Sequence, residues 1–107
     1  MRKNEPERNI EGRVVKWARA KGWRAKKMNN LGDRGWPDRL FVGPGVLAFI
    51  EFKKPGKDLT MQQAGVIDEI REFGHRVEWF DNSDTAIAWL GNLEAEAVPK
   101  KSRKVCS

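Results

Sequence analysis

Thiol and imidazole side chains are nearly absent from this chain. Among its 107 residues there is one cysteine, Cys106, and one histidine, His75. An internal disulfide is excluded, and so is a zinc site built from thiolates or imidazoles within one chain. Long apolar runs are missing too. The longest, Val46 to Ile50, falls far short of the ~20 residues that cross a bilayer. The charged N-terminus does not resemble a secretory leader, so a cytoplasmic protein without membrane contact is expected. No internal repeat is evident.

What remains describes a folded, basic protein. Hydrophobic residues make up 39% and charged residues 34%, a balance that excludes a wholly disordered chain. The length suits a single domain, expected over residues 1–91, with residues 92–107 as a disordered basic tail. Lysine and arginine outnumber the acids 21 to 15, a formal charge of +6, which favours polyanionic partners. Lys100, Lys101, Arg103 and Lys104 lie in the expected tail, and without those four the +6 falls to about +2.

The stretch from Gly35 to Lys53 organises the rest. Two apolar runs flank Gly43-Pro44-Gly45, which reads as a β-hairpin. Alternation along the second run puts Leu47, Phe49, Glu51 and Lys53 on one face and Ala48, Ile50 and Phe52 on the other. A three- or four-residue turn pairs Asp38 with either Ile50 or Glu51, and both registers bring two carboxylates together at one end of the hairpin. Pro37 fixes its own φ and restrains Trp36, which holds Asp38 in place. Two acids on rigid, otherwise apolar strands call for a compensating hard cation with oxygen ligands. Lys53 would add a charge beside the same space. The alternative is a solvated Glu/Lys pair on a surface hairpin.

Around this hairpin the spacing predicts further elements. Ile10, Val14, Trp17 and Ala18 recur at helical intervals, with Asn9 as a candidate cap and Gly22 as the stop. Met1 to Arg8 reads as a frayed lead-in. Trp23 to Met28 reads as a short strand, followed by a polar loop from Asn29 to Gly35. Thr60 caps a helix ending near Phe73, and Gln63 lies in its first turn. His75 to Phe80 reads as a strand, with His75 an exposed turn residue. Thr85 to Leu90 reads as a last short helix. The predicted fold is α/β, in the order αβββαβα. Glu11 sits at the edge of the first helix's apolar stripe, where it either answers the helix dipole or leans over the sheet.

Pro37-Asp38 followed by Glu51-Phe52-Lys53 resembles the signature of the PD-(D/E)XK nuclease superfamily. More narrowly, Glu11, Lys27, Gly-Trp-Pro-Asp-Arg-Leu-Phe, Glu-Phe-Lys, Leu59-Thr60 with Gln63, and Gly74 before the last strand look like the VRR-NUC family, from Ile10 to about Leu90. Two departures are visible: Met61 stands where proline is common, and the strand after Gly74 carries no Val-Arg-Arg.

This resemblance implies a restriction-endonuclease-like core, a small mixed sheet flanked by helices, and Mg²⁺- or Mn²⁺-dependent hydrolysis of DNA. It implies Asp38, Glu51, Glu11 and the Phe52 carbonyl as metal ligands, with Lys53 as the catalytic lysine and Gln63 assisting. It further implies Lys27, Arg34, Arg39 and Lys54 as nucleic-acid contacts, with Lys27 a partner for either a phosphate or a carboxylate, and a homodimer. The competing reading is a nuclease-derived module that binds without cutting. A base-stacking RNA platform is disfavoured, since paired aromatics on adjacent strands are lacking. Trp36 is expected to pack rather than stack on a base.

Overall fold

A computed structural model describes residues 5–28 and 34–97. The chain forms α1 (Glu7–Ala20), β1 (Arg24–Lys27), β2 (Arg39–Gly43), β3 (Val46–Phe52), α2 (Met61–Glu72), β4 (Arg76–Phe80) and α3 (Ser83–Ala97). This is the predicted αβββαβα order. The four strands make one mixed sheet in the order β1-β2-β3-β4. The first three run antiparallel, with β2 and β3 joined by a two-residue turn, Pro44-Gly45. β4 lies parallel to β3, which requires the longer crossover that α2 occupies.

Strand alternation divides the buried residues between the two faces of the sheet. Ala25, Phe41, Val46, Ala48, Ile50 and Phe52 join Ile10, Val14 and Ala18 of α1 and Ala86, Leu90 and Leu93 of α3 in the main core. On the opposite face Ile67 and Ile70 of α2 pack with Val77, Phe49, Trp79 and Trp36. Trp36 meets Phe49 edge to face at 6.4 Å between ring centroids, so it packs as expected. His75 is exposed, also as expected.

Both outer helices are longer than the sequence pattern indicates. α1 begins at Glu7 and not near Ile10, because Pro6 supplies the extended N-cap conformation and no side chain caps the helix. Glu5 is buried against Arg13, which docks the lead-in from residue 5 onward. α3 starts at Ser83 and does not stop at Leu90. It runs through Gly91 to Ala97, because Leu93 is buried and Ala97 packs on the core. A mid-helix glycine costs ~1 kcal/mol relative to alanine, and here that burial offsets it. Residues 92–97 therefore belong to the folded body and not to a tail. Residues 29–33 of the expected polar loop and 98–107 of the expected tail lie outside the described residues.

Gly35 joins the segment carrying Asp38 to α2. Its φ is +90°, and a Cβ there would lie 2.9 Å from the Gln62 carbonyl oxygen. Gly35→Ala should lower stability by ~1–3 kcal/mol through strain and overpacking. Gly65→Ala, in α2 with open space around it, should raise stability by ~0.5–1 kcal/mol. Urea unfolding midpoints of the two variants, moving in opposite directions, check both.

Candidate active site

The β2–β3 ladder ends at Arg39 opposite Ile50. One residue further Asp38 stands opposite Glu51, which decides between the two registers open from sequence. Glu51 therefore projects from the α2 side of the sheet, and Asp38 lies beside it at the strand end away from the hairpin turn. Asp38 is held twice: its carbonyl accepts from the Met28 amide at 2.9 Å, and its Oδ2 accepts from the Phe52 amide at 2.8 Å.

Glu51 is only 3% exposed. Its Oε2 accepts from Gln63 Nε2 at 2.9 Å and lies 3.8 Å from Lys53 Nζ. Gln63 is itself fixed by a capping box, since its Oε1 accepts from the Thr60 amide while its own amide donates to Thr60 Oγ1. One side chain thus closes the start of α2 and tethers Glu51 to it.

The acids are not fully compensated. Burial first, then the Asp38 charge, pushes the Glu51 carboxyl up to about 8. Burial also raises Asp38, against the opposing effect of the Phe52 amide. Glu7 is raised as well, by burial and then by Asp38. Glu7 is a residue the sequence reading missed. Its signal was the four-residue spacing to Glu11, legible only once α1 is known to start at Glu7.

Glu11 belongs to a neighbouring network. Its Oε2 accepts from Arg39 Nε at 2.6 Å and Lys27 Nζ at 3.4 Å. It remains near enough to Asp38 to raise that group's pKa. Of the four expected nucleic-acid contacts, Lys27 and Arg39 thus have a carboxylate partner inside the chain. Arg34 and Lys54 are exposed, with no ion pair among the described residues. The Phe52 amide is taken by Asp38.

No group of three or more His, Cys, Asp or Glu among the described residues is arranged to hold a metal ion as it stands. The donor set nevertheless suits a hard divalent cation. Mg²⁺ commonly takes one or two carboxylates and keeps several waters. Asp38 Oδ1 has no hydrogen-bond donor among the described residues, and burial together with the Asp38 charge leaves Glu51 with a raised pKa that a cation would lower.

Comparison with known proteins supplies independent information. The chain is 37% identical over 79 residues to Putative nuclease p44 of Acyrthosiphon pisum secondary endosymbiont phage 1. The match covers 73% of this chain and 85% of the phage protein. No family model matches the chain.

The raised Glu51 pKa has a consequence for stability. With about 8 in the folded state against an ordinary 4.5, the folded protein retains a proton that the unfolded chain releases. Stability is therefore lost as pH rises across that interval, and the raised Asp38 and Glu7 act in the same direction. In EDTA the melting temperature of the wild type should fall more steeply between pH ~5 and ~8 than that of Glu51→Gln. Parallel curves for the two proteins would refute this assignment.

Proposed function

The chain belongs to the family of that phage protein, and from this premise we propose that it is a divalent-metal-dependent DNA endonuclease. The observation that carries the reading is the Asp38–Glu51–Lys53 cluster, with its two acids facing each other and its lysine beside them. The relative's name supports nucleic acid as substrate. The resemblance to the VRR-NUC family of PD-(D/E)XK nucleases supports phosphodiester hydrolysis, including selectivity for branched or junction DNA.

Asp38 and Glu51 are the proposed holders of Mg²⁺ or Mn²⁺, with the Phe52 carbonyl as a further ligand and Glu11 and Glu7 completing the negative field. When bound, the cation supplies Lewis-acid activation and charge neutralisation at phosphorus. Lys53 offers N–H donors to the attacking water and to a non-bridging phosphate oxygen, offsetting charge that grows in the transition state. Gln63 positions Glu51 and shields one of its oxygens from competing donors. Arg34 and Lys54, both exposed, are proposed phosphate contacts. With one cluster per chain, cutting both strands of a duplex calls for two copies, so the active unit is proposed to be a homodimer.

Purified protein should cut plasmid, forked or four-way-junction DNA with Mg²⁺ or Mn²⁺ and not in EDTA. Asp38→Asn, Glu51→Gln and Lys53→Met should each lower the rate by about 100-fold or more while remaining folded, and double variants should be little worse than singles. Near-normal cleavage by Glu51→Gln would contradict the assignment. DNA binding without cutting by the wild type would favour the binding module instead.

A further inference from the structure

α2 covers only part of its side of the sheet. Its cluster takes Phe49 from β3 and Val77 and Trp79 from β4, and nothing from β1 or β2. Pairing places Arg24, Lys26, Leu40, Val42 and Leu47 on this same side, because their neighbours Ala25, Phe41 and Ala48 face the main core. Leu40 and Val42 are half-buried and packed against neither hydrophobic cluster, and Leu47 is 55% exposed. Among the described residues, this half of the sheet is thus an apolar floor that α2 does not cover.

Its margin is positive. Arg24 and Lys26 are exposed on β1, the free edge of the sheet, and neither has an ion pair among the described residues. A recess along that edge is lined by Arg19, Arg24 and Lys26, and Arg19 is anchored there through the Ala25 carbonyl. An edge strand also presents unpaired backbone N–H groups. Among the described residues of β1, β2 and the hairpin, no acid lies on this face between Asp38 and the turn. Along β1, Lys26 lies opposite Leu40 and Arg24 opposite Val42, so the two charges step away from Asp38 at ~7 Å intervals. That interval is on the order of the separation between consecutive phosphates of a nucleic-acid strand.

We propose that this face is the track for the substrate strand: Lys26 and Arg24 hold successive backbone phosphates, Arg19 of α1 adds charge at the β1 edge, and sugars or bases rest on Leu40, Val42 and Leu47. The track rests on the nuclease reading and extends it, since Lys27 and Arg39, the basic residues of β1 and β2 on the other face, are already engaged by Glu11. A second copy of this chain fits the face less well, because a like-charged margin would oppose it.

The test is binding of a fluorescein-labelled DNA duplex and of its separate strands in Ca²⁺ across a salt series. Arg24→Gln/Lys26→Gln should bind about tenfold more weakly at low salt, with a log–log salt slope shallower by ~1–2, since each lost phosphate contact removes ~0.7–0.9. Arg8→Gln/Lys16→Gln, at exposed positions of α1 across the sheet, removes the same charge elsewhere and should change affinity by less than about threefold. Leu47→Glu should weaken binding. Equal losses from both double variants, or none from Arg24→Gln/Lys26→Gln in a protein that binds and cuts, overturn the track alone. A wild type that neither binds nor cuts nucleic acid overturns the nuclease reading with it. If Leu47→Glu converts a dimer to a monomer while DNA affinity is unchanged, the face belongs to a second copy and the track is wrong.

Discussion

Asp38 stands opposite Glu51 because the β2–β3 hairpin has one register, and burial on its other face fixes that register. Phe41 pairs with Ala48, and both are fully buried, as is Ile50. A slip of one residue would carry those side chains to the α2 side and drive Glu51 into the apolar core, with the full penalty of desolvating a carboxylate. The positions of the two acids therefore follow from the packing of α1 and α3 on the opposite surface. Asp38 is fixed further by the Met28 and Phe52 amides, which tie β1 and β3 to the same turn of chain.

Compensation of the acids is divided between the two sides of the sheet. Toward α1, Glu11 is satisfied by Arg39 and Lys27, a closed network that braces the helix against β1 and β2. Toward α2, Glu51 has Gln63 at hydrogen-bonding distance and Lys53 only at 3.8 Å, and its pKa remains high. The contrast separates an acid satisfied by ion pairs from one that is not. A buried group kept partly protonated for want of positive charge is where a cation has most to gain.

Much of this was legible in the sequence because the relevant periods are short. Alternation alone placed Glu51 and Lys53 on one face, and Gly43-Pro44-Gly45 announced the hairpin. Thr60 and Gln63 spell a capping box three residues apart. The start of α1 was not legible, since it depends on Pro6 geometry and on Glu5 docking against Arg13. Glu7 was missed for that reason. The length of α3 was misread because Gly91 signals a stop, while burial of Leu93, a tertiary effect, carries the helix past it. The capture of Lys27 and Arg39 by Glu11 joins residues from α1, β1 and β2, and no local pattern encodes it.

In the proposed reaction, phosphate meets the Asp38–Glu51 cluster and a cation makes the encounter favourable. DNA affinity of wild type and Glu51→Gln, measured in EDTA at a pH well above the Glu51 value of about 8, tests this most directly. Ionised Glu51 should repel the backbone there, so Glu51→Gln should bind more tightly, by about tenfold or less for a charge contact of ~1 kcal/mol. Ca²⁺ should erase most of the difference, as should lowering the pH until Glu51 is protonated. Equal affinities for the two proteins at high pH and low salt would mean that the backbone does not pass this cluster, and would contradict the assignment of the active site.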